Sequence, residues 1–255
     1  MEGMDHSLLW HGALVLVGLA AGFVNTLAGG GSLLTLPLLL LAGLPPHIAN
    51  GTNRVAVFLQ SVAGTMAFDR EGVLDRRPIL ALSVPTLVGS LAGAGAAVFL
   101  PARILEPALL AAMLLVAVAL VLYPSAIAPP PGESVRSISE VRGAWAAFFG
   151  IGFYGGFAQA GVGFFLLAAL GGLLRYDLAR SNALKLLLVT AFTGLALVVF
   201  VLADQVWWIP GLALSVGTVA GSRLGVRFAI EARQDLLRWV VVAIVVASCV
   251  GIWLR

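Results

Sequence analysis

Charge, cysteine and histidine are all scarce in this chain, and acid is missing from its apolar runs. Of 255 residues, 11% are charged against 60% apolar, a balance that argues against a soluble globular domain. The single cysteine, Cys249, removes an internal disulfide framework and any multi-cysteine metal site. The three histidines, His6, His11 and His47, lie near segment ends with no glutamate at metalloprotease spacing. Interface anchoring is expected for them, as for Trp207 and Trp208. No phosphate loop or nucleotide fingerprint is present, so direct ATP coupling is not expected. Every Asp and Glu falls in a loop or at a segment boundary, which leaves no place for a carboxylate-centred proton relay or cation site. No metal, cofactor or catalytic residue is therefore expected, and the protein is not read as an enzyme.

What is there is about ten apolar runs, near 8–28, 33–44, 51–68, 79–100, 106–123, 144–158, 164–174, 182–203, 206–228 and 236–254. Most can cross a hydrocarbon core of ~30 Å, but 33–44 and 164–174 would span only about 16–18 Å, so they read as half-helices. The start "MEGMDHSLLWHG" has no basic region before its apolar run, and that run has a counterpart later, so it belongs to the fold. The chain reads as an all-α polytopic membrane protein.

The net charge of +3 records topology rather than nucleic-acid binding. With ten crossings, one side collects Arg70, Arg76, Arg77, Arg136, Arg142, Arg175, Arg180, Arg223, Arg227, Arg233 and Arg238, and the other holds little beyond Arg103 and Arg255. The positive-inside rule then puts both termini outside and the central loop in the cytoplasm, in a multi-pass membrane protein. That loop, "PSAIAPPPGESVRSISEVR", is the one Pro- and Ser-rich polar stretch. It separates a first repeat, 1–123, from a second, 142–255, with the linker at 124–141.

Sliding the chain by about 130 positions lays "AGFVNTLAGGGSLLTLPLLLLAG" on "GIGFYGGFAQAGVGFFLLAALGG" and "VPTLVGSLAGAGAAVFLPARILEPALL" on "LALSVGTVAGSRLGVRFAIEARQDLL". Five segments per half is an odd number, so the second half enters the membrane in the opposite sense, giving inverted repeats. Gly93 and Gly221 read as packing positions.

"AGGGS" differs, because three adjacent glycines carry a helix penalty and leave amides without intrahelical partners. In hydrocarbon such amides need protein, water or ligand. Asn25, Gly29, Gly30 and Gly31 are candidate binding residues, with Ser32 as the expected N-cap of a half-helix whose positive end faces the interior. In the second half Gln159, Gly161 and Gly163 of "QAGVG" take the corresponding places.

A second patch is "NGTNR", Asn50 to Arg54, matched by "RSNALK", Arg180 to Lys185. A cation near the centre of a membrane helix costs roughly 2.5–3.5 kcal/mol, so Arg54 and Lys185 need a reason. Snorkelling is one, and guiding an anion is the other. Asn53 and Asn182 would supply neutral hydrogen bonds beside them; Gln60, with Thr190 at the equivalent place, is a site residue or interhelical glue.

"AGFVNTLAGGGSLLTLPLLLLAGLPPHIANGTNRVAVFLQS", with "GFYGGF…GVGFF" and "GTVAGSRLGVRF", resembles the TauE/SafE sulfite-exporter family of bacterial inner-membrane transporters over about residues 12–254. The resemblance implies transport of small sulfur-containing or organic anions such as sulfite or sulfonates, often as export. By position it points to Gly29, Gly30 and Gly31 and to Thr52, Asn53 and Arg54. The second half departs, with "QAGVG" where relatives often show a "GPGTG"-like break and with apolar Leu188 and Val189 where a polar Asn is common. The expected partners are a small anion and membrane lipid, without nucleic acid, and a homo-oligomer is compatible with the sequence. The rival readings are a membrane scaffold, whose glycines would serve packing only, and an intramembrane enzyme, which lacks the acid or metal cluster it needs.

Overall fold

The computed structural model describes residues 8–122 and 134–231, all of whose regular structure is helical. Among the described residues nine helices follow in order: α1 Leu8–Leu27, α2 Ser32–Leu41, α3 Pro46–Arg70, α4 Ile79–Phe99, α5 Ala102–Leu122, α6 Ala144–Phe157, α7 Val162–Leu167, α8 Leu178–Leu202 and α9 Trp208–Glu231. A π-helical turn, Ala168–Leu173, extends α7. The apolar run at 236–254 lies outside the described residues, as do 123–133 of the linker region. The described end of the linker is tied down, with the Arg136 amide donating to the Leu174 carbonyl at 2.9 Å.

Proline and glycine set the helix boundaries. Pro46 opens α3 at a position where its missing N–H costs nothing. Pro101 stands between α4 and α5, and Asp177 caps α8 by accepting from the Arg180 amide at 2.9 Å. These starts place α3 and α8 about four residues earlier than the apolar runs suggested, because their first turns, "PHIAN" and "LARSN", are polar.

Among the described residues four helices, α1, α4, α8 and α9, are long and apolar enough to cross a membrane. Leu80, Phe99, Leu115, Leu202, Ile209 and Val216 stand exposed, an outward face suited to lipid rather than water. Polar groups are turned inward: Asn50, Thr52, Asn53, Arg54, Gln60 and Ser61 on α3 are buried, as are Ser181, Asn182 and Lys185 on α8.

The helices interlock through glycine. α1 packs along α9 and α4 along α6, while α3 lies against α8 and α9. A Cβ at Gly22 would overlap the Thr218 backbone, and one at Gly221 the Leu19 carbonyl. The other pair repeats the arrangement, with Gly152 on Thr86 and Gly93 on the Phe153 carbonyl. Only small residues allow backbones this close. Gly152→Ala is expected to destabilise the protein by roughly 1–3 kcal/mol through overpacking. Gly150→Ala, two residues away with open space around it, should be neutral or mildly stabilising. Thermal denaturation of the two purified variants checks the contrast.

Candidate functional site

The chain breaks between α1 and α2 at Ala28–Gly31. Gly29 has φ +82°, a left-handed conformation that glycine adopts without strain. The N-cap of α2 is Gly31, and Ser32 is the first helical residue without a capping bond. The expectation that Ser32 caps the helix is therefore corrected. Gly31 already has helical angles, and its amide is held by the Asn25 side-chain oxygen at 3.3 Å, so the helix begins one residue early.

The second break lies between Phe157 and Val162. Gly161 is left-handed at φ +74°, and Gln159 adopts φ +64°, a costly conformation for a residue with a side chain. The two breaks touch: a Cβ on Gly29 would overlap Gly163, and one on Gly30 would stand 2.6 Å from the Phe164 ring. Residues 25–33 and 158–164 are all buried. Among the described residues, the amides of Gly30, Ser32, Gly161 and Gly163 have no acceptor. Unfilled buried donors are uncommon and call for an acceptor from outside the chain.

Each break also ends a helix whose last carbonyls need donors, and a buried cation supplies them. Arg54 of α3 donates through Nη1 to the Gly155 carbonyl at 3.0 Å and to Gln159 Oε1 at 2.7 Å. Through Nη2 it reaches the carbonyls of Gly156 and Phe157 and Asn50 Oδ1. It thus closes the C-terminal end of α6, with the Phe200 ring 4.5 Å from its guanidinium carbon. Lys185 of α8 does the same for α1, donating from Nζ to the carbonyls of Asn25 at 2.9 Å and Thr26 at 2.7 Å, and to Asn182 Oδ1 at 2.7 Å. That uses all three of its N–H groups. Both cations sit about two turns inside their helices and are fully buried at 0% and 1% exposure, which excludes snorkelling.

The neutral partners divide differently from the sequence pairing. Asn50, one turn before Arg54, stands to Arg54 as Asn182 stands to Lys185, and its own amide donates to the Phe157 carbonyl at 2.8 Å. Asn53 instead accepts from Thr35 of α2 at 2.6 Å. Thr52 accepts from the Trp207 amide and so ties α3 to the start of α9. Gln159 bridges Arg54 to Thr193, 2.8 Å from its Nε2. The Gln60 carbonyl accepts from Ser222, whereas Thr190 bonds to Leu186 and Thr65. Among the site residues named here, four buried side-chain nitrogens have no partner: Asn53 Nδ2, Gln60 Nε2, Asn182 Nδ2 and Arg54 Nε.

Asn25, Gly29, Gly30, Gly31, Gln159, Gly161, Gly163, Arg54, Asn182 and Lys185 therefore come together at the breaks. Asn53 reaches them through Thr35, and Thr52 and Gln60 make their bonds elsewhere along α3. Sequence reasoning missed Asn50, Thr193, Phe164 and Phe200. Only Asn50 carried a signal, its i,i+4 spacing to Arg54.

The electrostatics are one-sided. No described Asp or Glu is buried, so two positive charges stand in the interior on neutral acceptors alone. Burying such charges without counter-charge is costly, and the local field favours an anion.

The comparisons agree with this setting. Residues 14–252 match the family described as "Sulfite exporter TauE/SafE". The chain is similar to the "Probable membrane transporter protein YfcA" of Escherichia coli (strain K12), at 32% identity over 91% of this chain and 86% of that protein. It is also similar to a "Probable membrane transporter protein" of Haemophilus influenzae, at 28% identity over 90% of this chain and 89% of that one. A third relative, "Probable membrane transporter protein ORF9" of Sinorhizobium sp, is 26% identical over 93% and 90%. No solved structure matches the chain significantly. The chain is a multi-pass membrane protein that belongs to the TauE/SafE family, a family of membrane transporters and not of enzymes.

Proposed function

We propose that the protein is a secondary carrier of small anions, with sulfite, organosulfonates or related sulfur-containing or organic anions as substrates and export across the inner membrane as its direction. The observation that carries this reading is the pair of fully buried cations, Arg54 and Lys185, beside four unfilled amides, with no buried carboxylate among the described residues. An anion at the breaks completes the amides and balances the charge. Lys185 has no N–H to spare, so it acts through its field and by fixing the end of α1, and direct contact falls to the glycine amides. Arg54 retains one free donor, Nε.

The two halves act as inverted repeats, with both termini outside and the linker in the cytoplasm. Reciprocal packing supports this reading, since the first helix of each half lies on the fourth of the other and shares its glycine contacts. Rocking of α1 with α9 against α4 with α6 around the crossed breaks would alternate access.

The test is flux of labelled sulfite and sulfonates through proteoliposomes holding the purified chain. Sulfite flux well above protein-free vesicles is expected, with no flux of sodium or potassium as substrate; folded protein that moves no small anion contradicts the reading. Lys185→Met removes a charge-assisted contribution of about 1.5–3 kcal/mol. It should lower anion flux about 10- to 100-fold at unchanged reconstitution, as measured by initial rate.

A further inference from the structure

In carriers built on broken helices, coupling cations are held by the backbone carbonyls that a break leaves open at a helix end. Here α1 and α6 both end at a break, and at both ends a side chain already occupies that place. Lys185 Nζ stands within 2.9 Å of the Asn25 and Thr26 carbonyls and of Asn182 Oδ1, the oxygen setting that a free monovalent cation would seek. The Arg54 guanidinium meets the carbonyls of Gly155, Gly156 and Phe157 and the side-chain oxygens of Gln159 and Asn50. Both cations are fully buried and carried by helices, so their charge stays with the protein when an anion leaves.

A mobile cation finds no comparable place. The buried carbonyls of Leu27, Ala28 and Gly29 accept no hydrogen bond among the described residues. They follow directly on the two that Lys185 holds, so a free ion there would face a fixed charge of its own sign. No described Asp or Glu is buried to offset that repulsion. An exchangeable proton is equally ill-placed. Releasing one from Lys185 would strip a donor from one of its three acceptors, and a guanidinium keeps its charge. Tyr154, beside the second break, commits its hydroxyl to the Ala160 carbonyl at 2.6 Å.

We propose that Arg54 and Lys185 are tethered substitutes for coupling cations, so that the transported anion crosses without sodium and without a proton and moves its own negative charge through the membrane. Given the anion-carrier reading on which this rests, a potential negative inside drives the anion outward.

Tracer flux of labelled sulfite and methanesulfonate in proteoliposomes tests the proposal, with potassium gradients and valinomycin setting the potential and choline replacing sodium. Methanesulfonate keeps one charge at any working pH, so its response counts charge directly. Flux unchanged by sodium removal is expected, with a tenfold methanesulfonate gradient held by about 59 mV, the value for one elementary charge. Lys185→Ala vacates the oxygens around Nζ. Its flux in choline should fall about 10-fold or more, and sodium or ammonium should restore part of it. Wild type lacks that cation dependence, and a lost packing contact would not create it. Loss of wild-type flux without sodium, flux indifferent to potential, or a Lys185→Ala variant that neither cation restores overturns the proposal while the carrier reading stands. The wild-type arms hold whether or not the variant folds. Absence of flux for both anions would instead remove the carrier reading, and this proposal with it.

Discussion

Arg54→Met is expected to abolish anion flux and to destabilise the protein by roughly 5 kcal/mol, the largest single-residue effect here. The substitution strips donors from the carbonyls of Gly155, Gly156 and Phe157 and from Gln159 and Asn50. Each buried polar group left unpaired costs about 1–3 kcal/mol. Removing the charge relieves a desolvation cost of several kcal/mol, so the net loss is well below the sum over the unpaired groups. Arg54→Lys keeps the charge with three donors in place of the planar fork, so intermediate stability and residual flux are expected. Thermal denaturation beside flux separates the two losses. Wild-type stability in Arg54→Met would show that α6 does not need this cap.

Gly29→Ala is expected to stop transport, while Gly30→Ala retains a measurable part of it. Gly29 combines a left-handed backbone with a Cβ position that overlaps the Gly163 backbone, and neither can be relieved without parting the two breaks. At Gly30 the neighbour is the Phe164 ring at 2.6 Å, a side chain that can turn away. Strain of about 1–2 kcal/mol at φ and a further 1–3 kcal/mol of overpacking fall on Gly29 alone. Gly30→Leu, which fills the space before Phe164, should again abolish flux. Equal activity of Gly29→Ala and Gly30→Ala would mean that the crossing of the breaks is not tight in the working carrier.

The helical plan was legible because Gly and Pro punctuate it: "AGGGS", "AGLPP" and "QAGVG" fall at the observed interruptions. The starts of α3 and α8 were less legible, since their polar first turns do not extend an apolar run. With the helices starting at Pro46 and Leu178 rather than at 51 and 182, Arg54 and Lys185 stand about two turns inside instead of within the first turn. Their pairing across the halves could be read, but their partners could not, because backbone carbonyls have no letter in the sequence. The choice of Asn53 over Asn50 followed from position alone, and the helical spacing of Asn50 to Arg54 was the better guide. Phe164 and Phe200 are two of thirteen phenylalanines, and nothing in the pattern singled them out.

The free amides at the crossing are the centre of the proposed site, and hydrogen–deuterium exchange of the reconstituted protein addresses them directly. Peptides covering Gly29–Thr35 and Gly161–Phe165 should exchange more slowly with sulfite present than without it, with little change in α5 or in the α3–α4 loop. Anion flux that persists while neither peptide is protected would contradict a substrate site at the breaks.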